Sequence, residues 1–142
     1  MAHQFEECMV SCQDGRLAEI HFELIKKRGM GKIDPISWGN PILDLVEPEN
    51  PPDKDFTLKK LEISIIHHQV KIVRLYNHFD CGYYKLRGFK FATKEEERER
   101  LVSDLQKAAQ IIKNKFSNAE FKIYLYLLNQ GDGGAWCEEA IK

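Results

Sequence analysis

Apolar positions along this chain alternate between the spacing of β-strands and the spacing of α-helices. A short apolar run, residues 8–11, is interpreted as a buried strand that ends near Cys12, because the Asp-Gly pair at 14–15 indicates a turn. Residues 16–29 carry apolar side chains close to helical spacing and end in three basic residues followed by Gly29. The chain is therefore predicted to begin with a strand and a helix.

The next segment is less regular, because prolines and a glycine interrupt it. Residues 32–46 contain Pro35, Gly39 and Pro41, so at most a short strand followed by a loop is predicted there. Residues 47–55 are expected to form a proline-rich, acidic connector on the surface. A second helix is predicted from position 55 onward, and its inward-facing positions are expected to be Leu58, Leu61, Ile65 and Ile66.

The second half of the chain predicts a strand, a helix and another strand. Residues 70–76 form a β-rich run. Residues 93–116 show an apolar helical stripe with a capping threonine and an acidic first turn. Residues 121–129 are a nearly unbroken apolar run, which is typical of a strand buried on both faces. Residues 135–142 are expected to form a short tail with helical character.

Strands that alternate with helices predict a parallel sheet covered on both sides. We therefore expect a three-layer α/β fold, in which a mainly parallel central sheet has helices on both faces. The length of 142 residues favours one domain with one core, and no internal repeat divides the chain. The expected domain spans residues 1–142.

Composition and charge narrow the class of function. The chain is 43% hydrophobic and 30% charged, which is ordinary for a soluble globular protein, and its formal net charge is −1. A nearly neutral chain gives no reason to expect nucleic acid or a membrane surface as a partner. No apolar stretch approaches the roughly 20 residues of a membrane helix, and residues 1–7 lack the features of a signal peptide. We therefore expect a cytoplasmic protein.

Potential metal ligands follow two of the predicted strands, at the points where those strands end. Cys12 ends the first strand, and His78 and Cys81 follow the run that stops at residues 77–78. Because the loops after the strands of a parallel sheet gather at one edge, these three side chains could converge on one ion. Two thiolates and an imidazole suit Zn²⁺, and three protein ligands leave a fourth position for water, as in catalytic zinc sites.

The same residues carry a resemblance to a known family. The sequences CQDGR (residues 12–16) and HFDCG (residues 78–82) resemble the two signature motifs of the β-class carbonic anhydrases, Cys-x-Asp-x-Arg and His-x-x-Cys-Gly. The resemblance extends over residues 8–84, and elsewhere only the order of elements agrees. The chain has Gly15 where the family usually has Ser, and Asn77 where Gly usually precedes the histidine.

The resemblance implies a role for each residue of the two motifs. Cys12, His78 and Cys81 would be zinc ligands. Asp14 would accept a hydrogen bond from the zinc-bound water, and Arg16 would pair with Asp14 and hold it. The implied activity is reversible hydration of CO₂ to bicarbonate by a zinc-bound hydroxide, which is the reaction of a carbonate dehydratase, a zinc lyase. The resemblance also implies a homodimer, although only a few residues precede the first strand here, where typical members have helices that wrap around a partner.

Other interpretations of these residues stay open. Taken singly, a cysteine is more often a buried apolar thiol than a ligand, and Asp14 with Arg16 can be a plain structural ion pair. The chain could be a non-catalytic zinc-binding module, or a zinc hydrolase acting on another small linear molecule such as a carbon-sulfur compound. The candidate proton carriers, among which the sequence does not distinguish, are His21, His67 and His68. The aromatic residues that could line a substrate pocket, or equally the core, are Trp38, Phe79, Tyr83 and Tyr84.

Overall fold

One sheet of five strands runs through the residues that this computed structural model describes, 5–29 and 31–142. The strands are β1 (Glu7–Cys12), β2 (Ile33–Trp38), β3 (Ile72–His78), β4 (Lys122–Gln130) and β5 (Trp136–Ile141). The helices are α1 (Ala18–Arg28), α2 (Pro41–Val46), α3 (Pro51–Glu62), α4 (Gly82–Leu86) and α5 (Lys94–Lys115). A 3₁₀ turn (Gly15–Leu17) precedes α1, and a π-helical turn (Ile63–His67) extends α3.

The strands lie in the order β2-β1-β3-β4-β5. The first four strands of this order pair in parallel, whereas β5 is antiparallel to β4. After β1 the chain adds β2 on one side of it, and then adds β3 and β4 on the other side. The direction in which strands are added therefore reverses between β1 and β3. Ligands of open α/β sheets bind at such a switch point, beside the carboxyl ends of the strands. The ends of β1 and β3 therefore mark the edge at which a site is expected.

Apolar side chains fill both faces of the sheet. Val10 of β1 packs in a cluster with Leu61 of α3 and Leu105 of α5, whereas its neighbour Met9 packs in a second cluster with Leu24 of α1. Adjacent strand residues point to opposite faces, so each cluster covers one side of the sheet. The predicted three-layer α/β fold, with a mainly parallel central sheet and helices on both faces, is confirmed.

Two helix ends follow the sequence pattern closely. α1 ends at Arg28, and Gly29 takes a φ of 113°, a left-handed conformation that glycine adopts without strain. The side chain of Thr93 accepts a hydrogen bond from the backbone N–H of Glu96 and so caps α5. These local predictions are confirmed because they depend on contacts within a few residues of chain.

The prediction of a loop over residues 41–46 was wrong, because this segment forms α2. Asn40 accepts hydrogen bonds from two backbone N–H groups of the first turn, and Pro41 occupies the first helical position, where no N–H donor is needed. The connector is also shorter than predicted, because Pro51 and Pro52 begin α3 rather than preceding it. Prolines thus start helices here instead of interrupting them.

The prediction that Ile66 faces inward was also wrong. Ile66 is 46% exposed, whereas Ile65 is 4% exposed. Leu61 and Ile65 lie four residues apart and share the buried face of the helix. Ile66 is the next residue of the π-helical turn, so it points in a different direction around the helix axis and reaches solvent.

Two predictions about the C-terminal strands need correction. β4 is not buried on both faces along its whole length, since Tyr124 is 43% exposed and burial is confined to residues 126–128. Residues 122–124 extend past the end of β5, which pairs with β4 only from Leu125 onward. The expected helical tail is instead β5, and the part-buried and exposed side chains at its start alternate with the period of a strand.

No helix in the described ranges, 5–29 and 31–142, is long and apolar enough to cross a membrane. The expectation of no signal peptide rests on residues 1–7, of which residues 1–4 lie outside the described residues. The cytoplasmic location and the single domain over residues 1–142 stay predictions.

Candidate metal centre

The carboxyl ends of β1 and β3 bring the predicted ligands together. β1 ends at Cys12. β3 ends at His78, so it includes Asn77 and His78, which follow the apolar run of this strand. Cys81 follows at the start of α4, a short helix that the sequence did not predict. The ligand atoms of Cys12, His78 and Cys81 all lie within 4.8 Å of one another, and all three residues are buried. The edge of the sheet predicted to hold a metal site therefore carries three converging donors.

The geometry of these side chains fits a zinc ion. Cys12 Sγ lies 3.9 Å from Cys81 Sγ, and two sulfurs bound to one tetrahedral zinc at about 2.3 Å each would be about 3.8 Å apart. His78 Nδ1 lies 2.8 Å from the carbonyl oxygen of Phe79, a contact that places the ring proton on Nδ1. His78 Nε2 is then a lone-pair donor, and it is buried without a hydrogen-bond partner among the described residues. A metal ion would satisfy this atom.

The two sulfurs affect each other's protonation. The hydrogen bond with Cys12 is the main cause that lowers the pKa of the Cys81 thiol, and His78 and Asn40 act in the same direction. The same hydrogen bond, together with burial, raises the pKa of the Cys12 thiol. One thiolate therefore forms readily, whereas a second negative charge beside it is unfavourable without a cation. A divalent metal would supply that cation and displace the remaining thiol proton.

Asp14 and Arg16 follow the first ligand in the chain and bind each other. Arg16 Nη2 lies 2.6 Å from Asp14 Oδ2, and Arg16 Nε lies 3.1 Å from both carboxylate oxygens. The backbone N–H of Arg16 also donates to Asp14 Oδ1 at 2.9 Å. These hydrogen bonds hold the pKa of the Asp14 carboxyl below its ordinary value. Among the described residues, the group that could hold a metal ion consists of Cys12, His78 and Cys81, and Asp14 is not part of it.

Arg16 also contacts the loop that separates the other two ligands. Its Nη1 lies 2.8 Å from Asp80 Oδ2, and its Nη2 lies 2.8 Å from the carbonyl oxygen of Asp80. Asp80 has a φ of 57° and also pairs with Lys85, which is the main cause that lowers the pKa of the Asp80 carboxyl. Arg16 therefore ties the segment 12–16 to the segment 78–82.

Asn40 is a residue of the site that the sequence did not identify. It lies just past β2, it is fully buried, and its side-chain oxygen caps α2. Its Nδ2 donates to Cys81 Sγ at 3.3 Å, and the carbonyl oxygen of the preceding Gly39 lies 2.8 Å from Cys12 Sγ. An asparagine followed by a proline is a pattern that starts helices, so the sequence indicates a cap at Asn40 but not its contact with Cys81.

Trp136 is a second residue of the site without an assignment from sequence. Its ring centre lies 5.8 Å from the His78 ring centre in an edge-to-face arrangement, and the guanidinium carbon of Arg16 lies 5.7 Å from the same indole ring. Trp136 begins β5 and pairs with Gln130 across the turn from β4. The pairing of β5 with β4 places the indole beside His78, and a helical tail at residues 135–142 would not have done so.

Cavities lie beside two parts of the site. Cys81 and Tyr84 line one of about 390 Å³, whereas Arg16 and Trp136 line another of about 410 Å³, which none of the three candidate ligands lines. Phe79 is buried, whereas Trp38 and Tyr83 are partly buried. Trp38 packs against the core on the opposite face of the sheet. The Tyr83 hydroxyl donates to Asp44 at 2.7 Å. Core packing accounts for Phe79 and Trp38.

The three candidate proton carriers lie outside the metal-ligating group of the described residues. His68 Nδ1 lies 2.6 Å from Asp34 Oδ2, so this ring is held against the side of β2. His67 is exposed at the end of the π-helical turn. His21 is partly buried, and burial lowers its pKa. None of the three belongs to the group of described residues that could hold a metal, although the charge of His78 acts with burial to lower the pKa of His21.

Sequence comparison gives the chain relatives among bacterial proteins. No protein-family model matches it. An uncharacterized protein from Rickettsia bellii (strain RML369-C) is 31% identical over 123 residues, which cover 84% of this chain and 74% of that protein. The chain belongs to the same family as this protein. A second relative, the uncharacterized protein RC0076 from Rickettsia conorii (strain ATCC VR-613 / Malish 7), is 29% identical over 123 residues, which cover 84% of this chain and 65% of that protein. The chain thus spans slightly less than two thirds of this second relative.

Solved structures with a similar fold include β-carbonic anhydrases. The β-carbonic anhydrase isoform I from Trichomonas vaginalis has a TM-score of 0.62 at 16% identity, with 96% of this chain and 83% of that chain covered. A tetrameric β-carbonic anhydrase from Sordaria macrospora has a TM-score of 0.57 at 14% identity, with coverages of 99% and 84%. The apo form of a carbon disulfide hydrolase has a TM-score of 0.53 at 13% identity, with coverages of 89% and 76%. At such identities the likeness shows the fold, which is the α/β fold of these enzymes.

Proposed function

We propose that this chain is a zinc-dependent enzyme of the β-carbonic anhydrase type, which hydrates CO₂ reversibly to bicarbonate. The observation that carries the proposal is a three-residue metal-ligating group beside a carboxylate that Arg16 holds outside that group. The fold shared with β-carbonic anhydrases from Trichomonas vaginalis and Sordaria macrospora supports the same assignment. The two sequence motifs at residues 12–16 and 78–82 contain every residue on which it depends.

Cys12, His78 and Cys81 would hold the metal. Zinc bound there lowers the pKa of a coordinated water to about 7, so that a hydroxide nucleophile is available at neutral pH. The orientation of His78 supports this role, because its Nδ1–H donates to the Phe79 carbonyl and its Nε2 is left as the ligand atom. Burial of all three side chains would exclude competing water from the ligand bonds.

Asp14 would orient the attacking water. Arg16 keeps the Asp14 carboxyl ionised at neutral pH by lowering its pKa, so a carboxylate oxygen can accept a hydrogen bond from the water. Once that water has lost a proton to solvent, its remaining hydrogen bond to Asp14 would direct a lone pair of the hydroxide oxygen toward the carbon of CO₂. A C–O bond would form, one C=O electron pair would move onto a CO₂ oxygen, and bicarbonate would result. Arg16 is the positioning residue in this scheme, because it acts through Asp14.

A non-catalytic zinc module is the first alternative. In such a module Asp14 would be expected to close the fourth metal position. The hydrogen bonds from Arg16 to both Asp14 oxygens support an available position instead, because they engage the carboxylate elsewhere.

Hydrolysis of a small carbon-sulfur molecule is the second candidate function. It would use the same nucleophile on another linear molecule, and the fold shared with a carbon disulfide hydrolase supports testing it. We also expect a homodimer, which light scattering of the purified protein would detect.

Stopped-flow CO₂ hydration on protein of measured zinc content tests the proposal. The proposal predicts a rate above that of the buffer, proportional to the zinc-loaded fraction and lost after chelation. The rate of carbon disulfide hydrolysis by the same preparation distinguishes the second candidate function from CO₂ hydration. One zinc per chain with neither activity would contradict both catalytic functions and favour the non-catalytic module.

A further inference from the structure

A chain of buried hydrogen bonds begins at the sulfur of Cys81. Asn40 Nδ2 donates to Cys81 Sγ at 3.3 Å and also lies 3.1 Å from Asn77 Oδ1, which accepts from it. Asn77 Nδ2 in turn donates to the hydroxyl oxygen of Tyr84 at 3.1 Å. Asn40, Asn77 and Tyr84 are each at most 1% exposed. None of the three takes part in the chemistry proposed above.

The chain of hydrogen bonds ends at a buried carboxylate of α5. The Tyr84 hydroxyl donates to Asp104 Oδ2 at 2.7 Å, and Arg100 Nε donates to the same oxygen at 2.8 Å. Asp104 is fully buried, and the adjacent cation of Arg100 offsets its charge. A buried carboxylate is an acceptor of fixed position, so it anchors the far end of the chain.

The donor and acceptor roles along this chain are set from both ends. Asp104 Oδ2 accepts from Arg100 Nε and from the Tyr84 hydroxyl, so that hydroxyl is left to accept from Asn77 Nδ2. This orients the Asn77 amide with its oxygen toward Asn40. At the other end, the Asn40 oxygen accepts from the backbone of α2, so the Asn40 Nδ2 group is directed at Cys81. Each group therefore has one consistent assignment.

We propose that Asn77 and Tyr84 are positioning residues of the metal centre, which act through Asn40 to hold an N–H donor on the Cys81 sulfur and thereby tighten metal binding. The inference rests on the proposed metal site and deepens it. A donor held on a thiolate fixes the direction of its lone pairs, and partners of this kind commonly change metal affinity by about 10- to 100-fold. The family that the two motifs resemble usually has glycine at position 77. A glycine has no side-chain amide, so it would interrupt this series of hydrogen bonds at its centre.

Tyr84→Phe is the most selective test, and Tyr83→Phe is its matched control. Both remove one phenolic hydroxyl from neighbouring residues, but the Tyr83 hydroxyl donates to Asp44 at 2.7 Å and lies outside the chain. We expect Tyr84→Phe to weaken zinc binding by about 10-fold and Tyr83→Phe by less than about 2-fold. Zinc affinity is measured by competition with a chromophoric chelator, and the thiolate-to-metal absorption of Co²⁺-loaded protein gives a second readout.

Asn40→Ser provides an independent variant if Tyr84→Phe does not fold. A serine can still cap α2 through its hydroxyl oxygen but has no amide to donate to Cys81. We expect zinc binding to weaken by about 10- to 100-fold in this variant. The Co²⁺ absorption should shift in the same direction in both variants, because both loosen the same sulfur.

The possible outcomes separate this inference from the proposed function. Zinc affinities of Tyr84→Phe and Asn40→Ser equal to that of the unmodified chain would overturn the inference and leave the proposed function standing. A lower melting temperature of the metal-free variants with unchanged zinc affinity would overturn it as well. These hydrogen bonds would then stabilise the fold without affecting the metal site. An unmodified chain that binds no zinc would overturn the proposed function itself.

Discussion

The guanidinium of Arg16 contacts both carboxylate oxygens of Asp14, with Nη2 2.6 Å from Oδ2 and Nε 3.1 Å from Oδ1. The Arg16 side chain is 45% exposed and that of Asp14 is 17% exposed. A pair this accessible to water contributes only about 0–1 kcal/mol to the free energy of unfolding. Substitutions in the pair should therefore alter chemistry more than stability.

Asp14→Asn should lower the rate of CO₂ hydration by about 100-fold, because a neutral amide accepts a weaker hydrogen bond than a carboxylate and would orient the nucleophile less well. Zinc content should stay at one per chain, since Asp14 lies outside the ligand group of the described residues. The measurement is stopped-flow hydration with parallel metal analysis. A variant that keeps its rate, or that loses its zinc, would contradict the role given to Asp14.

Arg16→Ala should lower the hydration rate by about 10- to 100-fold, because Asp14 would lose the contacts that hold it in place. Lys85→Ala is the matched control. Lys85 pairs with Asp80, as Arg16 does, but has no contact with Asp14 in the structure. The control should stay within about 2-fold of the unmodified chain. Equal losses in the two variants would assign the effect to Asp80 and the loop 78–82 instead.

The positions of Cys12 and His78 could be predicted from the sequence because they depend on a general property of parallel sheets. Each residue ends an apolar strand, and strand ends of one direction meet at one edge. The same reasoning predicted the parallel strands and the helix between each pair. Both predictions depend only on local apolar patterns and on the order of strands and helices along the chain.

Asn40 and Trp136 could not be placed in the same way, because their positions depend on contacts far along the chain. Pro35, Gly39 and Pro41 favoured a loop where α2 forms, and Asn40, which caps α2, contacts Cys81, which lies 41 residues later in the chain. β5 becomes a strand by pairing with β4, and its own short pattern does not distinguish a strand from a helical turn. Tertiary pairing decides both cases.

Cys12→Ser should abolish stoichiometric zinc binding, because a serine hydroxyl is a poor zinc ligand in place of a thiolate. Cys137→Ser is the control, since Cys137 is exposed and outside the ligand group of the described chain. Metal analysis after dialysis should show one zinc per chain in the control and little in Cys12→Ser. Unchanged metal content in Cys12→Ser would contradict the catalytic functions and the non-catalytic zinc module alike.

Removal of the metal should lower the thermal stability of the protein. The ligands join the end of β1 to β3 and to the start of α4, so a bound ion stabilises the folded state over the unfolded chain. At a zinc concentration about 1,000 times the dissociation constant this amounts to about 4 kcal/mol. The melting temperature should fall with chelator and recover when zinc is added. Cys12→Ser should show no such recovery.

Ile65 and Ile66 offer a paired test of how the π-helical turn packs on the sheet. Ile65 is 4% exposed within the core of one sheet face, whereas Ile66 is 46% exposed. Ile65→Ala should lower the free energy of unfolding by about 2–5 kcal/mol, because it leaves a cavity in a packed core. Ile66→Ala should lower it by less than about 1 kcal/mol, because little apolar surface leaves the interior. Urea denaturation at fixed zinc concentration measures both, and equal losses would mean that the turn faces the core differently.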